Sequence, residues 1–134
     1  MAACALAYVL ALVVFAGIDL SWLIAMAPRV YRPLLGDILL DNVKVGPAAV
    51  FYLIYPIGLT VFAVVPALRE GSVVAALALG ALFGLICYAT YDLTNFATLR
   101  RWTLQLTVID IVWGAALSAL ASALSYSGAA ALRT

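Results

Sequence analysis

At 134 residues, 68% of them apolar and only 10% charged, with a mean hydropathy of +1.19, the chain lies far from soluble domains, which are roughly 45–50% apolar and about 25% charged. It is a membrane protein, and a net charge of +1 with no clustered basic surface excludes nucleic acid as a partner. Histidine is absent and there are two cysteines, so the common zinc and haem sites and the Ser-His-Asp triad are out of reach, and no metal or cofactor is expected.

The first apolar run extends from Cys4 to Ala27. Its end, "AMAP", loosely resembles a signal-peptide cleavage site, but the run is too long, lacks a basic segment before it and would place a proline after the cut, so it is expected to stay as a transmembrane helix. In the loop that follows, "PLLGDILLDN" sets Leu34, Leu35, Ile38 and Leu39 on one face. That pattern fits a short interfacial helix lying on the membrane or an ordinary polar loop. The second run, Gly46 to Leu68, contains Pro56 and ends in the tight turn "LREGS"; the third, Ser72 to Leu99, ends in "RRW"; the fourth covers Thr103 to Tyr126.

Each run reaches the ~20 residues needed to cross the hydrocarbon layer, and period-two alternation is absent, which disfavours a β-barrel. The expected fold is all-α: a polytopic, four-transmembrane-helix antiparallel bundle forming one integral-membrane domain over residues 1–134. Cys4 and Cys87 fall at different depths in runs of the same direction, so no disulfide is expected between them. Arg29, Arg32, Lys44, Arg100 and Arg101 lie on one side of the membrane, and Arg69 and Arg133 on the other. The positive-inside rule makes the first side cytoplasmic and puts the termini outside, in a multi-pass protein of the bacterial inner membrane.

Asp37, Asp41 and Glu70 fall in loops, where charge is solvated. Three other acids do not. Asp19 lies about eight residues before the end of the first run, Asp92 about seven before the end of the third and Asp110 about seven after the start of the fourth, and at 1.5 Å per residue all three sit roughly 10–12 Å below the cytoplasmic face. The second run brings Tyr52 and Tyr55 to that level, and Pro56 frees the Tyr52 carbonyl. An aspartate at the centre of a membrane helix costs about +2.5 to +3.5 kcal/mol on insertion scales, so such groups face inward, pair, or line water.

Spacing supports an inward cluster. Ala76, Gly80, Gly84, Tyr88 and Asp92 follow one another at i, i+4, a small-residue packing stripe ending in an aspartate, with Asn95 three residues on. Thr103, Thr107, Asp110, Trp113, Gly114 and Leu117 form a comparable stripe on the fourth run, and Asp19 and Trp22 stand three apart on the first. The chain echoes itself in "IDLSW", "YDLTN" and "IDIVW". No cation lies at this depth, and close buried carboxyls cannot all stay ionised. The plainer reading is that these acids hydrogen-bond neighbouring backbone, indole and phenol groups and fix helix register. Thr90, Thr94 and Thr98 are expected to bond back to their own helix.

"DLSWL", "FYLIYPIGLTVFAVVPAL", "YDLTNFATLRRW" and "DIVWG" together resemble the bacterial membrane-protein family catalogued as domain of unknown function 2177. The resemblance covers nearly the whole chain, implies four spans, and places Asp19, Asp92, Asn95 and Asp110 on the family's motif acids and amide without giving them a role. Genes of that family tend to lie near lipid-modifying enzymes, which tilts the reading toward a hydrophobic substrate.

Three functions compete. One is a membrane enzyme or accessory factor for a lipid-like molecule, with Asp19, Asp92 and Asp110 as catalytic acids and bases and Tyr52, Tyr55, Tyr88, Asn95, Trp22 and Trp113 around the substrate. Another is a transport or binding module for a proton, small cation or amine. The third is a structural subunit, with the bilayer, a larger complex or a second copy of the chain as its partners.

Overall fold

The computed structural model describes residues 1–133. Four helical spans are long and apolar enough to cross a membrane: Ala2–Ile38, Val45–Glu70, Val73–Thr98 and Leu104–Arg133. No strand occurs among the described residues, and the all-α, four-span architecture is the expected one.

The first span departs from expectation. Its α-helix, Ala2–Met26, does not stop at Pro28; it passes through a π-turn, Ala27–Tyr31, into a further helical turn, Arg32–Leu35, and a 3₁₀ turn, Gly36–Ile38. Proline has no N–H and crowds the carbonyl four residues back. The wider register, in which the Arg32 N–H bonds the Ala27 carbonyl, lets the helix continue past it. The stretch "PLLGDILLDN" therefore forms no separate helix lying on the membrane. Leu35 turns inward to pack with Trp102 and Leu106, Leu34 and Leu39 lie against that cluster, and Ile38 is exposed.

A second π-turn, Thr60–Val64, interrupts the second span just ahead of Pro66. Upstream, Pro56 sits inside the helix, and the carbonyl that collects a donor from another span is that of Leu53, from the Tyr8 hydroxyl at 2.9 Å, rather than that of Tyr52. The turn into the third span closes through Gly71, whose φ of +67° is left-handed and suits a residue without Cβ. Ser72 then caps the next helix, its Oγ accepting from the Ala75 N–H at 3.1 Å. Thr103 does the same for the fourth span through the Leu106 N–H at 3.1 Å.

Packing is uneven around the bundle. The third and fourth spans make the most extensive contact, and the first packs on the fourth. The second span leans on the third through its π-turn and C-terminal half and touches it sparingly along its first half. Small residues make the tight seam: Ala76, Gly80 and Gly84 face Gly114, Ser118 and Ser122, all buried. A Cβ on Gly84 would overlap the Gly114 carbonyl oxygen, and one on Gly114 would overlap the Tyr88 ring. Side chains stack in levels, with Ala7, Val64 and Ala129 at the terminal end, Phe15, Tyr55, Leu59 and Leu117 midway, and Leu35, Trp102 and Leu106 at the opposite rim. There an Arg101–Asp37 ion pair at 3.4 Å joins the first and third loops.

Gly84→Ala should force the third and fourth spans apart and lower stability by about 1–3 kcal/mol, the usual cost of overpacking, seen as a lower midpoint of thermal unfolding in detergent. Gly17→Ala, where a Cβ meets nothing within 4 Å, should not lower that midpoint, since alanine suits a helix interior better than glycine.

Candidate functional site

The three intramembrane aspartates share a level, as their positions along the runs require, but they form two sites rather than one cluster. Asp19, 6% exposed, accepts the Tyr52 hydroxyl at 2.6 Å on one oxygen and the Trp113 indole N–H at 3.1 Å on the other. It thereby ties the first span to the second and the fourth. Asp110, 8% exposed, accepts the Tyr31 hydroxyl at 2.9 Å, and that hydroxyl accepts the Trp22 N–H at 3.1 Å. Between the two sites the Trp22 and Trp113 rings stack, 4.0 Å apart and 10° from parallel.

The echo between "IDLSW" and "IDIVW" acquires a physical meaning here. Each motif places a tryptophan three residues after an aspartate, on the same helix face. The antiparallel first and fourth spans exchange them: the indole of the fourth serves the aspartate of the first, and the indole of the first serves the aspartate of the fourth through Tyr31. Tyr31 is the member that sequence reasoning missed, because a helix ending at Pro28 leaves it in a loop.

Asp92 is 0% exposed, and among the described residues no N–H or O–H group donates to either of its oxygens. Its polar neighbour is the Asp110 carboxyl. Two carboxylates repel, whereas a carboxylic acid donates to a carboxylate. Side by side in a low-dielectric layer, the two carboxyls cannot both be ionised without uncompensated repulsion. No third Asp, Glu, Cys or His joins it as a metal-binding group among the described residues.

A cavity of about 620 Å³ opens on this layer, within the range of roughly 300–1,000 Å³ typical of small-molecule sites. Phe51, Tyr52 and Tyr55 of the second span form one wall, and Cys87, Tyr88 and Tyr91 of the third form the other. Asp19, Asp110 and Trp113 lie at its base, and Leu35, Leu39 and Trp102 line its rim end. Its walls are where the second and third spans diverge, bordered by the exposed Phe51 and Tyr91. Against the rim lies a second cavity of about 460 Å³, which shares Leu35, Leu39, Tyr91 and Trp102 with the first and adds Lys44 and Asn95.

The family described as "Predicted membrane protein (DUF2177)" matches residues 4–127. The chain belongs to that family. No curated protein and no solved structure matches it. In this DUF2177 chain the site residues read from the sequence are partly dispersed. Asp19, Asp110, Tyr52, Tyr55, Tyr88 and Trp113 line the main cavity. Asp92 stands behind Asp110, Trp22 behind Trp113, and Asn95 belongs to the rim cavity. Thr90, Thr94 and Thr98 bond to carbonyls of their own helix at 2.6–2.7 Å. The half of the fourth span away from the acids is also less bland than its alanines suggest, for Ser118, Ser122 and Ser125 are buried and Ser118 meets the Tyr55 hydroxyl at 2.7 Å.

A proton shared between Asp92 and Asp110 would have an infrared signature. The wild type in bilayers should show a carboxylic acid C=O band at neutral pH that is missing in Asp92→Asn, whose amide supplies a permanent donor to Asp110. Asp92→Leu removes that donor and should destabilise the fold by about 1–3 kcal/mol more than Asp92→Asn, the cost of an unpaired buried polar group, as measured by thermal unfolding of both variants.

Proposed function

We propose that this membrane protein takes up a lipid-like amphiphile between its second and third spans and acts on it at the acid layer, with the basic rim facing the cytoplasm. The observation that carries this reading is the cavity itself: largely apolar walls, a place between the second and third spans where these touch sparingly, and two carboxyls in its lining. A hydrophobic substrate reaches such a site from the bilayer without crossing water. Asp110 borders the cavity while Asp92 lies behind it, so proton exchange with a bound molecule runs through Asp110, with Asp92 as the proton's other holder. Asp19, fixed by Tyr52 and Trp113, presents a second carboxyl across the indole stack.

The packing supports this over transport. On the far side of the acid layer, the glycine seam and the Phe15, Leu59 and Leu117 level are closely packed, which favours a pocket open to one side over a path through the bundle.

Mass-spectrometric lipid profiling of cells lacking the gene provides the test. A lipid species should accumulate or vanish, be restored by the wild type, and stay unrestored by Asp110→Asn inserted at the same level. An unchanged profile would refute the proposal.

A further inference from the structure

The rim cavity holds groups that the acid layer does not use. Trp102 lines both cavities, is 9% exposed, and has an indole N–H with no acceptor among the described residues. Indole nitrogen only donates, so this group calls for an acceptor oxygen. Asn95 shares the cavity wall, offering both a donor and an acceptor. Lys44, also on that wall, is the N-cap residue of Val45–Leu59, a helix start with no side-chain cap and no acid in its first turn. Pro47 has no N–H to satisfy, which leaves those of Val45 and Gly46 pointing out of the helix end, where the macrodipole favours negative charge. Of the two acids in that loop, Asp37 is engaged with Arg101 and Asp41 does not line the cavity.

We infer that the ligand of the proposed function is an acyl lipid with an anionic head, a carboxylate or a phosphate, bound head-outward. The head lies at Lys44 and the start of the second span. The first carbonyl or carboxyl oxygen accepts from Trp102 Nε1. The chain runs past Tyr91, through the boundary the two cavities share, into the larger one. This rests on the amphiphile reading and adds an orientation: the part of the ligand beside Asp110 is its chain, and its charged end is at the rim. The reverse orientation sets an anion against two carboxyls. A cationic head at the rim meets Lys44 and leaves the Trp102 donor unpaired.

Intrinsic tryptophan fluorescence reports the ligand's position, since bromine quenches indoles it touches and Trp113 and Trp102 line the main cavity. The full chain would be placed in nanodiscs of unlabelled phosphatidylcholine at mildly alkaline pH. It would then be titrated with four probes brominated at mid-chain: stearate, phosphatidylglycerol, phosphatidylcholine and stearylamine.

The expected result is saturable quenching by stearate or phosphatidylglycerol, at least about tenfold tighter than by stearylamine, the scale of one charge-assisted contact. Stearate alone would identify a free fatty acid, and phosphatidylglycerol a phospholipid. Lys44→Glu should weaken the anionic probe about tenfold, and Trp102→Phe, which keeps a ring but loses the donor, about fivefold or more. Lys44 is exposed, so its substitution leaves the fold intact.

Preference for the amine, or affinity unchanged by Lys44→Glu, would overturn the orientation while leaving a bound amphiphile. Equal saturable quenching by brominated phosphatidylcholine would likewise overturn the anionic head alone, whereas no saturable quenching by any probe would overturn the amphiphile reading as well.

Discussion

A carboxyl group inside a hydrocarbon layer has no water to turn to, so its partners must come from the chain itself. That constraint organises this molecule more than any apolar contact does. Lipid tails are as apolar as leucine, and burying one more leucine between spans yields little drive for association. The acid layer supplies what the leucines cannot. Asp19 joins three spans through two hydrogen bonds, and Asp110 draws the extension of the first span back over the bundle through Tyr31. Each bond holds a helix in rotation and in height. The Trp22–Trp113 stack fills the space between the two sites, so both indoles carry an N–H to a polar partner while their ring faces cover each other.

Much of this was legible in the residues. Apolar run length gave four spans, and depth counting put Asp19, Asp92 and Asp110 on one level. The i, i+4 spacing of Ala76, Gly80 and Gly84 identified the face that packs on the fourth span, all three being buried. What spacing along a helix cannot supply is the direction in which each helix turns toward its neighbours. Asp92 and Asn95 are three residues apart, yet one is enclosed against Asp110 and the other borders the rim cavity. For the same reason the three acids divide into a pair and a single site. The continuation of the first span past Pro28 was hidden for a different reason: proline signals a break in α-register, and no local residue pattern announces a π-turn.

Stability and openness are distributed on opposite sides of the bundle. Along the third and fourth spans the backbones approach so closely that glycine is required at Gly84 and Gly114. Between the second and third spans, aromatic rings of Phe51, Tyr55, Phe83 and Tyr88 keep the backbones apart, with ring centroids 5.3–6.0 Å from one another where they meet. Small residues make the wall and large ones prop the cleft. The cavity results from a choice of side-chain size that leaves helix content unchanged, and the acids at its base are held by groups from the first, second and fourth spans.

The two π-turns also bear on how the protein tolerates change in length. A π-turn amounts to one residue more than the α-helix needs, and each residue advances a helix by about 100°. Deleting a single residue within Ala27–Tyr31 would let the helix close its ordinary register and would swing everything beyond it through about that angle, carrying Tyr31 off Asp110 and Leu35 off Trp102. The extra residue thus serves as a phase setting between the membrane-buried part of the first span and its cap. Length variation that a loop would absorb is felt here as a rotation of the site.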